Sequence, residues 1–413
     1  MTSRREVVVM VATSYPRFPG DGVGSFMEPI AKGVAALGHE VHLVAPWHPA
    51  ITRGKSEDGV FFHFFKYAPV PSLNVFGYAS GLKADTALRS AAWLAAPAAL
   101  AAGAFKAWRV ATKRRATVMH GHWVIPGGVL ARVAAGRLPL VISLHGSDVF
   151  VAERHGMLRR LARGVFHRAG AVTACSEDLH QRALVLGANP ATTSTVPYGV
   201  DTQRFSALDD ATRTAVRRAI AVTGDGPLIV TAGRLVSKKG FEYLIDAARL
   251  LAPEWPGLRV AIGGAGDLDA GLRARAAGAP VLFLGNGTQD DIARWVGAAD
   301  IVAVPSIRDD AGNVDGLPNF ALEALASSTP VVATTAGGLP QAITDGDNGR
   351  LVPERDAAAL AAAVRDIWTR PDRGRALGEA ARRRVEAAHS WRTTAERMVE
   401  AYATARGAEQ RPA

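Results

Sequence analysis

One alternation organises this chain, and it runs twice. Short, uninterrupted apolar stretches lead into turns and helix-patterned segments, and past Asp201 the pattern starts again. In the first half, runs at 6–12, 41–45, 117–120, 140–144, 171–175 and 195–197 predict strands, with helices near 26–37 and within 85–112. In the second half, 227–232, 259–262, 281–284, 301–304 and 331–333 predict strands and 241–251 a helix. Strands apolar on both faces and separated by helices belong to parallel sheets covered on both sides. The expected fold class is therefore α/β, with two Rossmann-like, doubly wound domains facing across a cleft. The first takes residues 1–200 and is completed by a last helix at 389–407, and the second takes 201–388. A length of 413 residues suits two cores better than one. Ligands of open parallel sheets sit at the carboxyl ends of the strands, so chemistry is expected in the cleft.

Composition narrows the classes. The chain is 48% hydrophobic and 21% charged, as in globular proteins, and its one cysteine, Cys175, excludes an internal disulfide and a cysteine-rich metal site. Cys175 closes an apolar run and reads as core. The first apolar stretch ends at Ser14-Tyr15-Pro16, too early for a secretory signal. The longest uncharged stretch, 91–105, contains Pro97 and falls short of the roughly 20 residues that span a bilayer. A cytoplasmic protein is expected, at most peripheral on the inner face of a membrane. The net charge of +10 suits an anionic partner or reflects drift in an Arg- and Ala-rich chain; no nucleic-acid-binding module accompanies it. Segment 81–115 carries seven Lys or Arg against one acid, Asp85, together with Trp93, Phe105 and Trp108. Such a helix either lies on an anionic membrane or docks on its own domain with a solvated face.

Several turns carry candidate chemistry. Gly20-Asp21-Gly22-Val23-Gly24 follows the first strand, where backbone N–H groups of Gly22 and Gly24 can approach a phosphate. Met27 stands where a dinucleotide fingerprint needs its third glycine, which argues against an NAD-dependent oxidoreductase. Gly233 to Gly240 holds Arg234, Lys238 and Lys239 between a strand and a helix; fixed cations there stabilise a departing diphosphate without a metal. Gly264 lies in a run of glycines that either lets a ligand approach backbone or makes a tight turn. Asp315-Gly316-Leu317-Pro318-Asn319 leads into a helix in which Pro318 suits the first turn. Glu323 sits in that helix among apolar neighbours, where an unpaired acid is costly. His120, His122 and His145 fall at strand ends, with Trp123 beside them; no residue pattern completes a zinc site, and no metal is expected. His145 is the best functional candidate of the three. His42, His48 and His63 read as ordinary surface or core residues. The triplets Asp267-Leu268-Asp269 and Asp345-Gly346-Asp347 read as turns.

Together these phrases resemble the retaining glycosyltransferases of family 4, whose fold is called GT-B, over nearly the whole chain. The phrases are Gly38-His39-Glu40-Val41, His145-Gly146-Ser147-Asp148, Pro197-Tyr198-Gly199-Val200-Asp201 with Phe205, Gly233-Arg234-Leu235, Lys239-Gly240, Gly316 to Asn319 with Leu322-Glu323-Ala324, and 330–338. The resemblance implies that Arg234 and Lys239 hold a donor diphosphate and that Glu323 binds the nucleotide ribose. It also implies that Asp315 and His145 contact the transferred sugar, that Gly24 offers its N–H to phosphate, and that the last helix, with Trp391, returns to the first domain. In this family an E-x7-E pair is usual, and here Asp315 replaces its first glutamate, one methylene shorter. That bears on which sugar is transferred.

The expected activity is hexose transfer from a nucleotide-diphosphate sugar, a UDP-sugar first and GDP-mannose second. The acceptor is expected to be lipid-linked or a saccharide in cell-envelope or exopolysaccharide glycan synthesis, met on the side of His122 and Trp123. No cofactor is expected beyond the donor. The non-enzyme alternative is a sugar-nucleotide-binding regulatory protein on the same fold.

Overall fold

The computed structural model describes residues 4–409 apart from 71–72, 75–76, 79–81, 84–86, 89 and 223. The chain separates into two compact units, Met1–Tyr198 together with Trp391–Ala413, and Gly199–Ser390.

In the first unit the strands are β1 (Val7–Val11), β2 (Glu40–Pro46), β3 (Ser56–Glu57), β4 (Val60–Phe65), β5 (Leu82–Lys83), β6 (Ala87–Leu88), β7 (Val118–His122), β8 (Leu140–Leu144), β9 (Ala171–Ala174) and β10 (Thr193–Thr195). The main sheet runs β10-β9-β8-β7-β1-β2-β4-β3, while β5 and β6 make a separate antiparallel pair. All neighbours in the main sheet are parallel except β3 and β4. Chain order reverses at β1, which lies between β2 and β7, as in a doubly wound sheet. Val8 to Val11 and the whole of β7 and β8 are buried, as their apolar runs require. The sequence pattern missed β4, whose aromatic run is broken by His63; the ring of His63 meets His42 on β2 at 3.0 Å, a diagonal pair across the two strands, since His42 is in register with Phe61 and His63 with Val44. The strand predicted at 195–197 lies at Thr193–Thr195 instead, because Pro197 has no N–H for the ladder.

The last helix, Trp391–Glu409, belongs to this unit. Ala395 packs against Gly33, the Tyr402 hydroxyl bonds His120 at 2.9 Å, and Arg406 reaches buried Glu6 at 2.6 Å. The helix Ser90–Arg114 buries Ala99, Ala107 and Val110 while leaving Phe105 and Trp108 58% and 51% exposed. It thus docks on its own unit and still presents two aromatic rings outward. Residues 81, 84–86 and 89 of the basic segment lie outside the described residues, as does the Trp93 side chain. Among the described residues no helix is long and apolar enough to cross a membrane.

The second unit holds β11 (Leu228–Ala232), β12 (Arg259–Gly263), β13 (Val281–Gly285), β14 (Ile301–Val304), β15 (Val331–Thr334) and β16 (Arg350–Val352). Its sheet is wholly parallel in the order β13-β12-β11-β14-β15-β16. The order reverses between β11 and β14. The helices Phe241–Leu251 and Ala357–Thr369 cover the sheet through Leu244, Ile245, Leu360 and Val364, all buried. Thr288 and Asp291 form a reciprocal cap at the start of helix Gln289–Ala298, fixing the entry of that helix.

Candidate active site

The reversal of strand order in the second unit opens a crevice at the carboxyl ends of β11 and β14, the general place for ligands in such a sheet. Ala232, Lys239, Val304, Ser306, Pro318 and Phe320 line it. The loop leaving β11 is held on both sides. A Cβ on Gly264, at φ +129°, would lie 1.9 Å from the Gly233 carbonyl oxygen, so backbone packing alone demands glycine there. On the other side Ile307 donates to the Lys238 carbonyl at 2.9 Å, tying the loop to the exit of β14.

This anchoring brings two lysines to one acid. The Asp315 carboxylate takes Lys238 Nζ on Oδ1 at 3.0 Å and Lys239 Nζ on Oδ2 at 2.6 Å. Burial would raise the Asp315 carboxyl, but the two ammonium groups outweigh it and hold the group well below the usual carboxylate range. Asp315 itself is fixed from behind: a Cβ on Gly337, at φ +54°, would lie 1.9 Å from the Asp315 carbonyl oxygen. Arg234, by contrast, is exposed.

Gly316, Leu317 and Pro318 carry the chain from Asp315 into helix Asn319–Ala326. Pro318 stands at the cap position with φ −63° and ψ 128°, one residue before the first turn in which it was expected, because that ψ is extended rather than helical. Every residue from Phe320 to Ala326 is buried, Glu323 included. Burial pushes the Glu323 carboxyl up to about 7, against smaller opposing pulls from a hydrogen bond to Gln289 and from the charges of Arg204 and Lys239. Glu323 does not itself line the crevice, although Pro318 and Phe320 of the same segment do, and a buried acid poised near neutrality is an expected mark of a functional site. The sequence reading counted Lys238 among the cations for a diphosphate and not as a partner of Asp315, and it did not select Gln289 or Arg204, which come from distant parts of the chain.

The candidates of the first unit gather at the ends of β7 and β8. His122 Nδ1 and His145 Nε2 are 3.0 Å apart, and His145 Nδ1 meets the Tyr198 hydroxyl at 2.5 Å. Phe26 stacks on Tyr198 with centroids 4.8 Å apart and lies 4.7 Å from the His145 ring. Both ring nitrogens of His145 are thus engaged, and a ring hydrogen bond to a sugar requires one of them to be exchanged. Burial holds His120 and His145 neutral, each down to about 3. His122 Nε2 is buried and has no hydrogen-bond partner. Trp123 adopts φ 63° with ψ 119°, a strained position for a bulky residue. Asp148 pins the two loops together, accepting from Val124 N at 2.7 Å, Gly146 N at 2.9 Å and His145 N at 3.4 Å. Burial nevertheless pushes its carboxyl up to about 6. In the glycine turn after β1, Gly22 is exposed, Gly24 has φ +66°, and Asp21 clamps Arg17 at 2.6 Å.

Among the described residues no group of three or more His, Cys, Asp or Glu is placed to hold a metal ion. Of the two Asp triplets, Asp269 begins the helix Asp269–Arg275, and Asp345 caps a turn by accepting from Leu351 N at 2.9 Å.

Comparison with known proteins agrees with this geometry. The family model described as "Glycosyltransferase Family 4" matches residues 20–204, and that described as "Glycosyl transferases group 1" matches residues 226–370. A GDP-mannose-dependent alpha-(1-6)-phosphatidylinositol monomannoside mannosyltransferase of Mycolicibacterium smegmatis is 33% identical, over 68% of this chain and 74% of its own. A Corynebacterium glutamicum enzyme described as GDP-mannose-dependent and acting on a monoacylated form is 32% identical, over 64% of this chain and 70% of its own. In fold, the chain is similar to the Anabaena protein HepE, solved with UDP and glucose, at a TM-score of 0.75 and 20% identity, covering 95% of this chain and 98% of that one. With two Rossmann-like units of the GT-B type and relatives of this identity and coverage, the chain belongs to the group 1, family 4 glycosyltransferases and is an enzyme acting on a nucleotide sugar.

Proposed function

We propose that the chain is a retaining hexosyltransferase that works without a metal ion and serves a lipid-linked acceptor at an anionic membrane surface. One observation carries the donor side: Lys238, Lys239 and Asp315 meet at the strand reversal of the second unit, with Glu323 buried in the helix that follows. Lys239, Arg234 and the N-terminal end of helix Asn319–Ala326 supply positive charge to a departing diphosphate. Glu323 accepts hydrogen bonds from the ribose diol, and Asp315 meets the sugar that moves. In the first unit, Gly22 and Gly24 offer N–H groups to phosphate, His145 meets the transferred sugar, and His122 and Trp123 form the acceptor side.

The names of the relatives favour GDP-mannose over the UDP-sugar placed first from sequence alone, and a phosphatidylinositol-type lipid as acceptor. Such a lipid presents its headgroup at a membrane surface. The helix Ser90–Arg114 suits that surface, with Phe105 and Trp108 exposed beside Arg109 and Lys113. The product is a glycolipid of the cell envelope.

The test has two arms. GDP-mannose and UDP-glucose are compared for thermal stabilisation, where a ligand at 100 times its dissociation constant adds about 2.7 kcal/mol. Flotation with vesicles containing phosphatidylinositol is measured at low and moderate salt for the wild type and for Phe105→Ser/Trp108→Ser. Stabilisation by GDP-mannose, and flotation lost in the double variant, are expected. Stabilisation by UDP-glucose alone, or no flotation at either salt with full activity on a soluble acceptor, refutes the corresponding arm.

A further inference from the structure

Asp315 has two lysines where one would neutralise it, and the two are not equivalent. Lys239 lines the crevice at the strand reversal, whereas Lys238 is absent from its lining and only 7% exposed. The Lys238 backbone is fixed to the exit of β14 through Ile307. Each ammonium serves its own carboxylate oxygen, Lys238 on Oδ1 and Lys239 on Oδ2.

We propose that Lys238 is the standing counter-ion of Asp315, a positioning residue that releases Lys239 to the donor diphosphate. The inference rests on the donor-site reading above. A diphosphate entering the crevice competes with Asp315 for Lys239. Were Lys239 the sole partner, its departure would strand a buried carboxylate without a cation, which is strongly unfavourable. With Lys238 fixed on the other oxygen, Asp315 keeps one ion pair while Lys239 turns to the phosphates. Lys238 therefore acts on the ligand only through Asp315. This predicts a particular sign. Without Lys238, Asp315 grips Lys239 harder and diphosphate binding weakens; removing the Asp315 charge as well frees Lys239 and restores binding. A residue that touched the ligand, or merely supported the loop, would not be rescued in this way.

The experiment is calorimetry on the full chain with inorganic pyrophosphate, a probe independent of base and sugar, repeated with free GDP and UDP. Lys238→Gln should weaken pyrophosphate binding about tenfold, and Lys238→Gln/Asp315→Asn should return it to within about threefold of wild type. Lys238→Arg, which keeps the charge, should stay close to wild type. Unchanged binding in Lys238→Gln, or a double variant as weak as the single one, overturns the proposal. Should Lys238→Gln fail to fold, Asp315→Asn alone decides: binding at least as tight as wild type supports the proposal, and weaker binding overturns it. Lys239→Gln separates the two readings. It should lose about tenfold in every background, and if it binds normally the donor-site reading itself is overturned.

Discussion

Glu323 offers the most quantitative test, because its environment sets both an affinity and a pH. Its carboxyl is pushed up to about 7 by burial. Below that pH the group carries a proton and cannot accept from both hydroxyls of a ribose. If nucleotide binds only the ionised form, apparent affinity falls about tenfold for each pH unit below 7 and levels off above it. In Glu323→Gln this titration is gone. At pH 8 the variant should bind free nucleoside diphosphate roughly ten- to a hundredfold more weakly, since a charged hydrogen bond contributes about 1.5 to 3 kcal/mol. At pH 6 the wild type has lost most of its advantage, and the gap should shrink by about tenfold. Calorimetry of GDP and UDP binding to both proteins at pH 6, 7 and 8 reads this out. The terminal phosphate of the nucleotide also titrates in this range, but equally for both proteins, so the difference between them is the diagnostic quantity. Stability gives an independent check. The folded-state value is raised, so the protonated group's contribution is present below its ordinary range near 4.5 and is lost as pH rises through about 7. Glu323→Gln should accordingly gain stability relative to wild type between pH 5 and 8. A wild-type-to-variant affinity ratio that does not change with pH would refute the reasoning.

Turnover should survive EDTA without added Mg²⁺ or Mn²⁺, because protein cations do the work at the diphosphate; activity abolished by EDTA and restored by either ion contradicts this. Asp315→Asn should lower kcat/KM or change the preferred sugar while free nucleoside diphosphate binds no more weakly than before, a contrast read from steady-state rates beside calorimetry. Asp148→Asn puts an amide against three backbone N–H groups and should cost about 2 to 3 kcal/mol in thermal unfolding, with unchanged melting as the contrary result. Gly264→Ala drives a methyl into the Gly233 carbonyl and should lower the melting temperature or prevent folding; a variant as stable as wild type would mean that the two strand exits are not packed as described.

The parallel strands were the most legible part of this chain, because burial on both faces leaves an unbroken apolar run that alternation cannot mimic. Legibility failed where that rule does not apply. Strand β4 sits near the sheet edge and carries His63, whose role becomes evident only beside His42. Strand β10 is a polar Thr-Ser-Thr edge, so the apolar residues just after it drew the reading away. At the donor site, the chemistry of Arg234, Lys239 and Asp315 was visible as residue types at turns, and that of Glu323 as an acid among apolar residues of a helix. That Lys239 and Asp315 touch was not, because it depends on two loops fixed by separate glycine contacts. Lys238 was legible as a cation of that turn, but its burial against Asp315 was not, because an ammonium on a turn reads as solvated until the fold closes over it. In the first unit, the surroundings of His145 were hidden for a similar reason, since Phe26 and Tyr198 come from far apart in the chain.

The closing helix has a consequence for biosynthesis. Helix Trp391–Glu409 supplies Tyr402 and Met398 to His120, Ser143 and Thr173, a buried polar chain at the heart of the first sheet. The second unit is thus an insertion within the first, and the ribosome finishes the inserted body before the host has all its parts. The strands of the first unit, made earlier, must wait with hydroxyls and imidazoles uncovered until helix Trp391–Glu409 leaves the exit tunnel. Folding order should therefore run against chain order, with the second unit closing ahead of the first. A stalled or clipped chain lacking this helix should leave the second unit intact and the first one open, which makes the first unit the natural target for quality-control proteases.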